Sequence, residues 1–229
     1  MIIFIGLVLL IIWCIKECRE VHQFAYDGLI QEIQRFNPIV IQENLKSKNP
    51  LLLHNVKIRT LHISDILSHN PGYILKDKDR YVLIDKFKDE EPMSIYRSSK
   101  LSDDIGYASD LLELGKTFET SMTCGAQTTL SLYKGFHTVP VTECTHNVSL
   151  LAVTSGTAIV YLVNPKHTQD ILGKDNHSIK KWSHKVVLKP GLVLSIPCQW
   201  FSFYECKGST VMGTYEADTY PTFLYNLLR

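Results

Sequence analysis

From Thr117 onward, apolar residues fall in short alternating runs: Thr128 to Tyr133, Thr138 to Thr142, Leu150 to Thr154, Ala158 to Val163, His184 to Leu188, Leu192 to Ile196, Trp200 to Tyr204 and Val211 to Tyr215. Turn residues at Lys134-Gly135, Gly156, Lys189-Pro190-Gly191 and Lys207-Gly208-Ser209 separate several of them. Side chains that alternate with period two, between glycine and proline turns, mark half-buried strands. Short strands at this spacing predict a barrel or sandwich in the carboxyl half.

The amino half is mixed. Met1 to Ile15 carries no charge and ends abruptly at Lys16-Glu17-Cys18-Arg19-Glu20. This predicts one transmembrane helix over 1–20, with Ile2, Phe4, Leu7, Leu10 and Trp13 among its lipid-facing residues, although a full span takes about 20 apolar residues. The run lacks the leading basic residue and small-residue cleavage site of a secretory signal. Lys16 and Arg19 behind the span predict a cytosol-facing domain on a single-pass anchor. The sequons at Asn147 and Asn176 would matter only in a secretory lumen and are read as chance, and Cys14 and Cys18 are candidate acylation sites. Over 21–36, Ala25, Leu29, Ile33 and Phe36 recur at helical spacing. This predicts an amphipathic helix stopped at Asn37-Pro38, followed by a buried strand at Ile39-Val40-Ile41. Further on, a short helix is expected over His62 to Ser68 with Ser64 as its cap, a strand over Tyr81 to Ile84, and a helix over Tyr107 to Leu114. The expected organisation is an anchor (1–20), a helix (21–36) and one β-barrel domain (37–229).

The balance of 24 Lys and Arg against 23 Asp and Glu leaves no global field to attract phosphate backbones. With no aromatic platform among the basic clusters at 76–80 and 180–185, no nucleic-acid partner is expected. The six cysteines show no Cys-x-x-Cys pair and no histidine at zinc spacing. Free buried thiols are the expectation, with Cys198 and Cys206 as the one pair to consider across the last hairpin.

One stretch carries more than strand pattern. In KPGLVLSIPCQWFSFYE (189–205), the Pro-Gly turn, the apolar strand, Ile196-Pro197 and the aromatic pair Trp200-Phe201 stand together, and SLLAVTSGTAIVYLVNP (149–165) holds Gly156, Leu162 and Pro165 at matching intervals. Over about Asn37 to Tyr215 the chain resembles the Jumonji C and cupin-like family of iron and 2-oxoglutarate oxygenases. The resemblance implies a mainly β double-stranded β-helix, a jelly roll, with helices on its amino-terminal side.

The same resemblance implies two histidines and a carboxylate around ferrous iron, and those residues are missing. The position of the last histidine holds Ser202. The His-x-acid pair falls on Thr142 and Cys144, or on residues around Glu143, depending on register. Ala158 replaces the lysine that would hold 2-oxoglutarate. A hydroxyl is a weak neutral ligand for ferrous iron. The leading expectation is therefore a membrane-anchored, catalytically inactive domain without cofactor, acting as a structural or protein-interaction module. Degenerate anchored enzyme copies in virions of large DNA viruses supply an analogy for such a role. The alternative is a divergent iron and 2-oxoglutarate hydroxylase using His137, Glu143 and His146, where the even spacing of His137 and Glu143 places them on one face of a strand. A third reading is a ligand-binding barrel with Trp200, Phe201 and Phe203 near an apolar pocket.

Overall fold

A computed structural model describes residues 4–6, 8, 9, 12, 13, 15, 16, 28–69, 72–77, 80–88 and 92–228. In chain order it contains β1 (Gln31–Ile33), α1 (Pro38–Leu45), β2 (Leu51–Leu53), α2 (Ile63–His69), β3 (Ile74–Asp77), β4 (Arg80–Leu83), β5 (Met93–Ser98), α3 (Ser99–Asp104) and α4 (Ala108–Lys116). The carboxyl half continues with β6 (Thr123–Lys134), β7 (His137–Glu143), β8 (Val148–Ser155), β9 (Ala158–Val163), α5 (Thr168–Ile171), α6 (Asn176–Ile179), β10 (Ser183–Leu188), β11 (Val193–Pro197), β12 (Phe201–Cys206), β13 (Thr210–Thr219) and α7 (Tyr220–Leu228).

The strands form a seven-stranded sheet, ordered β1-β2-β11-β8-β13-β6-β5, and a four-stranded sheet, ordered β10-β9-β12-β7, with β3 and β4 as a separate hairpin. The eight strands from β6 onward divide between the two sheets: β6, β8, β11 and β13 in the large one, β7, β9, β10 and β12 in the small one. This crossing from sheet to sheet is the double-sheet jelly roll. The Lys189-Pro190-Gly191 turn is one such crossing, so β10 and β11 are consecutive without being paired. Gly191 has φ +88 there, a backbone conformation that glycine adopts without a Cβ penalty.

Alternation along the strands sorts the core into three layers. Met212 faces the barrel lumen with Leu151, Leu194, Ile196, Trp200 and Tyr204. Val211, Tyr215 and Ala217 on the same strand face outward and pack with Leu111, Leu114 and Phe118 from the amino-terminal helical layer. A smaller cluster, including Tyr161, Phe203, Ile171 and Ile179, seals the outer face of the small sheet beneath α5 and α6. On the large sheet's outer face, α4 is seated through Gly115, where a Cβ would lie 2.2 Å from the Tyr215 ring.

Among the described residues, no helix is long and apolar enough to cross a membrane. This overturns the transmembrane helix over 1–20 and the single-pass localisation drawn from it. Length is the physical reason, since the uncharged run stops at Lys16, short of the about 20 residues a span takes. Of the expected lipid-facing residues, Phe4 and Trp13 are described and helical, whereas Ile2, Leu7 and Leu10 lie outside the described residues.

The helix expected over 21–36 fares differently along its length. Residues 21–27 lie outside the described residues, and Gln31–Ile33 is strand β1, paired in parallel with Leu51–Leu53. Asn37-Pro38 starts a helix instead of stopping one: the Asn37 side chain accepts from Ile39 N at 3.0 Å, and Pro38 occupies the first turn, where its missing N–H costs nothing. The residues read as a strand, Ile39-Val40-Ile41, therefore belong to α1. In α2, Ser64 lies inside the helix, and Asp65 Oδ2 accepts from His62 N at 2.9 Å.

Candidate functional site

The site lies at the end of the barrel where β7 stops and β12 begins. Ser202 and Thr142 are directly opposite one another across the β7–β12 ladder, and Phe201 faces Glu143. Thr142, Glu143, Cys144 and Ser202 line one small cavity of about 90 Å³, together with Tyr96, Arg97, His146, Ser149 and Glu216. Four of the five degenerate positions read from the sequence, all but Ala158, are thus assembled in one place.

Ala158 is not among them. It begins β9 at the opposite end, fully buried and paired with Cys206 on β12 and Leu188 on β10, while Ser202 is level with Leu162. Four residue steps along a strand separate the two levels by about 13 Å.

The alternative ligand set is also spread out. His137 starts β7 and Glu143 ends it, six steps or about 20 Å apart. His137 Nε2 donates to the Lys134 carbonyl at 2.8 Å, and its ring lies beside Tyr133. His146 lies at the Glu143 end, in the loop before β8.

One wall of the cavity is a charge network that the sequence pattern does not reveal. Glu216, on the lumen face of β13, has a side chain only 6% exposed and pairs with the Arg97 guanidinium. It also accepts from Gln127 Nε2 at 2.9 Å and Ser149 Oγ at 3.3 Å, and His146 Nε2 lies 3.4 Å from its second oxygen. The other imidazole nitrogen, His146 Nδ1, is 2.9 Å from Asp218 Oδ2. A buried carboxylate is stable only when paired and hydrogen-bonded, and these four partners meet that requirement.

Arg97 reaches the cavity through a local irregularity. The β5–β6 register shifts between Ile95 and Ser98, and Arg97 sits in the left-handed region at φ +50, with its N–H donating to Ser131 Oγ at 2.9 Å. A bulge re-aims a side chain at the cost of a strained residue. Here the re-aimed side chain is the cation of the network. Burial acts to lower the Arg97 pKa, and the charge and hydrogen bond of Glu216 more than offset it, so the guanidinium stays charged. His146 is raised above the ordinary imidazole value, first by its hydrogen bond to Asp218 and then by the charges of Glu216 and Asp218, against burial.

The thiols nearby are poor nucleophiles. Burial pushes Cys144 well above the usual thiol range and Cys198 up to about 12. Cys198 donates to Thr145 O before β12, while Cys206 ends β12, and both are free. They lie at opposite ends of one strand, which corrects the pairing considered from sequence. The three aromatics divide likewise: Trp200 is buried in the lumen core and donates to the Lys48 carbonyl at 3.1 Å, whereas Phe203 stacks on Tyr161 outside the small sheet with Phe201 alongside. They do not converge on one pocket. Asn176 of the second sequon spends its carboxamide on the exposed edge of the small sheet, donating to Val139 O at 2.9 Å and accepting from Val141 N at 3.1 Å.

The residues present do not fit ferrous iron. Two hydroxyls (Thr142, Ser202) and a thiol kept protonated by burial (Cys144) stand at the positions to which the resemblance assigns an iron triad. The buried carboxylate of the cavity, Glu216, is held by a guanidinium whose positive charge opposes a second cation. Among the described residues, no group of three or more His, Cys, Asp or Glu could hold a metal ion.

No family model and no curated protein matches the chain. One of the solved structures that match is a cupin superfamily protein from Desulfitobacterium hafniense DCB-2, with TM-score 0.31 and 16% identity, over 44% of this chain and 71% of that one. The jelly-roll assignment stands on the strand order of the two sheets, not on this likeness.

Proposed function

We propose that this chain is a catalytically inactive cupin-like barrel, a structural or protein-interaction module of Jumonji-related descent without iron or 2-oxoglutarate. One observation carries the reading: the Arg97–Glu216 ion pair lines the same small cavity as Thr142, Cys144 and Ser202. The protein's own cation neutralises the buried carboxylate that a metal would need, and the pair joins β5 to β13 across β6. The site residues thus act in the lumen as a polar brace.

The test uses the full chain, purified and reconstituted with ferrous iron under anaerobic conditions. Expected are substoichiometric iron after desalting and no succinate formed from 2-oxoglutarate with ascorbate present. Stoichiometric iron that is lost in a His146→Ala variant, or turnover of 2-oxoglutarate above the protein-free rate, would overturn the proposal.

A further inference from the structure

β6 is paired on both sides along only part of its length. β5 meets it between Leu130 and Lys134, whereas β13 follows it from Thr123 onward. The residues before Leu130 therefore have a strand on one side and, among the described residues, none on the other. Cys124, Gly125, Ala126 and Gln127 are exposed, and a Cβ at Gly125 would meet nothing within 4 Å. An open edge presents unpaired N–H and C=O groups at every second residue, and proteins commonly blunt it with a charge or a proline. Thr123 to Thr129 contains neither. The edge of β7, by contrast, is capped by the Asn176 carboxamide.

α7 runs beside this open edge. Tyr220, Phe223, Leu224 and Leu227 fall at i, i+3, i+4 and i+7, on one face of the helix, and are 56%, 52%, 37% and 71% exposed. Tyr220 and Phe223 line a cavity of about 470 Å³ together with the four exposed β6 residues. Phe223 and Leu227 line its continuation past His146 and Asp218. A groove between a strand edge and an apolar helix suits an extended chain, whose backbone pairs with the edge and whose alternate side chains meet the helix.

Area and charge select the occupant. At about 200 Å² per fully exposed side chain, the helix face offers on the order of 400 Å². A stable dimer buries about 800 Å² on each partner, so this face suits a short segment better than a second folded copy. The nine residues of α7 span about 13 Å, the reach of about four extended residues. No Lys or Arg lines either cavity, while Glu143, Glu216 and Asp218 do, which disfavours an acidic segment.

We infer that this groove docks an extended segment of a partner protein as an added strand on β6, with alternate apolar side chains against Phe223 and Leu227 and a basic residue toward the carboxylates. The inference rests on the reading of the chain as a protein-interaction module and supplies the chemistry of its partner.

Fluorescence anisotropy of the full chain with a labelled peptide, Thr-Leu-Thr-Lys-Thr-Leu-Thr, tests it. Saturable one-to-one binding is expected. Replacing the peptide's lysine with glutamate should weaken it about tenfold, as should Phe223→Ser or Leu227→Ser, both at exposed positions. Two further peptides, N-methylated at one or the other set of alternate residues, separate strand pairing from apolar contact. An added strand uses every second N–H, so one peptide should lose binding at least tenfold and the other keep it. Absence of saturable binding, equal affinity of the two N-methylated peptides, or a dimer in sedimentation that Phe223→Ser dissociates would overturn the inference. Iron loading and 2-oxoglutarate turnover read only the barrel, so inactivity and docking can fail separately.

Discussion

Replacing Arg97 with methionine probes the barrel-mouth network most directly. The change keeps an unbranched stem of similar length and removes the charge that faces Glu216. Breaking a buried ion pair by removing one partner costs about 3–5 kcal/mol, because the other charge stays buried and uncompensated. Two features of this site reduce that figure. The Arg97 side chain is 33% exposed, so solvent screens part of the interaction, and Glu216 retains Gln127, Ser149 and His146. The expected loss is about 2–3 kcal/mol, or a fall in Tm of roughly 5–10 °C for a domain of this size. Urea denaturation with an unchanged m value is the assay. The decisive comparison is the same substitution in a Glu216→Gln background, where no buried charge is stranded. There it should cost less than about 1 kcal/mol, giving a coupling above about 1 kcal/mol. Equal costs in the two backgrounds would refute the ion pair as the brace of the cavity wall.

Three other outcomes follow from the same geometry. The folded-state pKa of His146 is raised, so its contribution to stability is complete below its unfolded value of about 6.5 and is lost as pH rises through the folded value. The stability difference between wild type and His146→Gln, measured by urea denaturation from pH 5.5 to 8.5, should therefore shrink with rising pH; a constant difference would contradict the contacts with Asp218 and Glu216. Gly115→Ala forces a Cβ into the Tyr215 ring and should cost about 2–3 kcal/mol, whereas Gly106→Ala, with φ +66 and open space around it, should cost only about 1 kcal/mol of backbone strain; thermal denaturation of both variants checks the order. Asn176→Ala leaves Val139 O and Val141 N on the edge of β7 without their partner and should cost about 1–2 kcal/mol, read as faster amide exchange at Val141.

The β half of the molecule is legible in local sequence pattern. Period-two alternation with glycine and proline between runs is a local signal, so the strands from β6 to β13 and the turns joining them could be read without partners. The Pro190-Gly191 frame marked the fold for the same reason. Errors concentrated where one local signal has two meanings. Asn37-Pro38 can end one helix or begin the next, and which it does depends on where the chain must go afterward. The apolar run before Lys16 has the hydropathy of a span without its length.

The site depends on long-range strand register instead. Ser202 and Thr142 are 60 positions apart in the chain, and sheet register alone places them face to face. Glu216 gave a faint signal as a lone carboxylate in the otherwise uncharged run from Thr210 to Ala217. Its partner Arg97 gave none, because what aims it is a bulge and a left-handed backbone angle. Lumen pairing joins residues from β5, the β7–β8 loop, β8 and β13, and no local period encodes which charge will meet which inside a closed barrel. The Arg97–Glu216 pair is for this reason a property of the closed barrel and of no single segment of the chain.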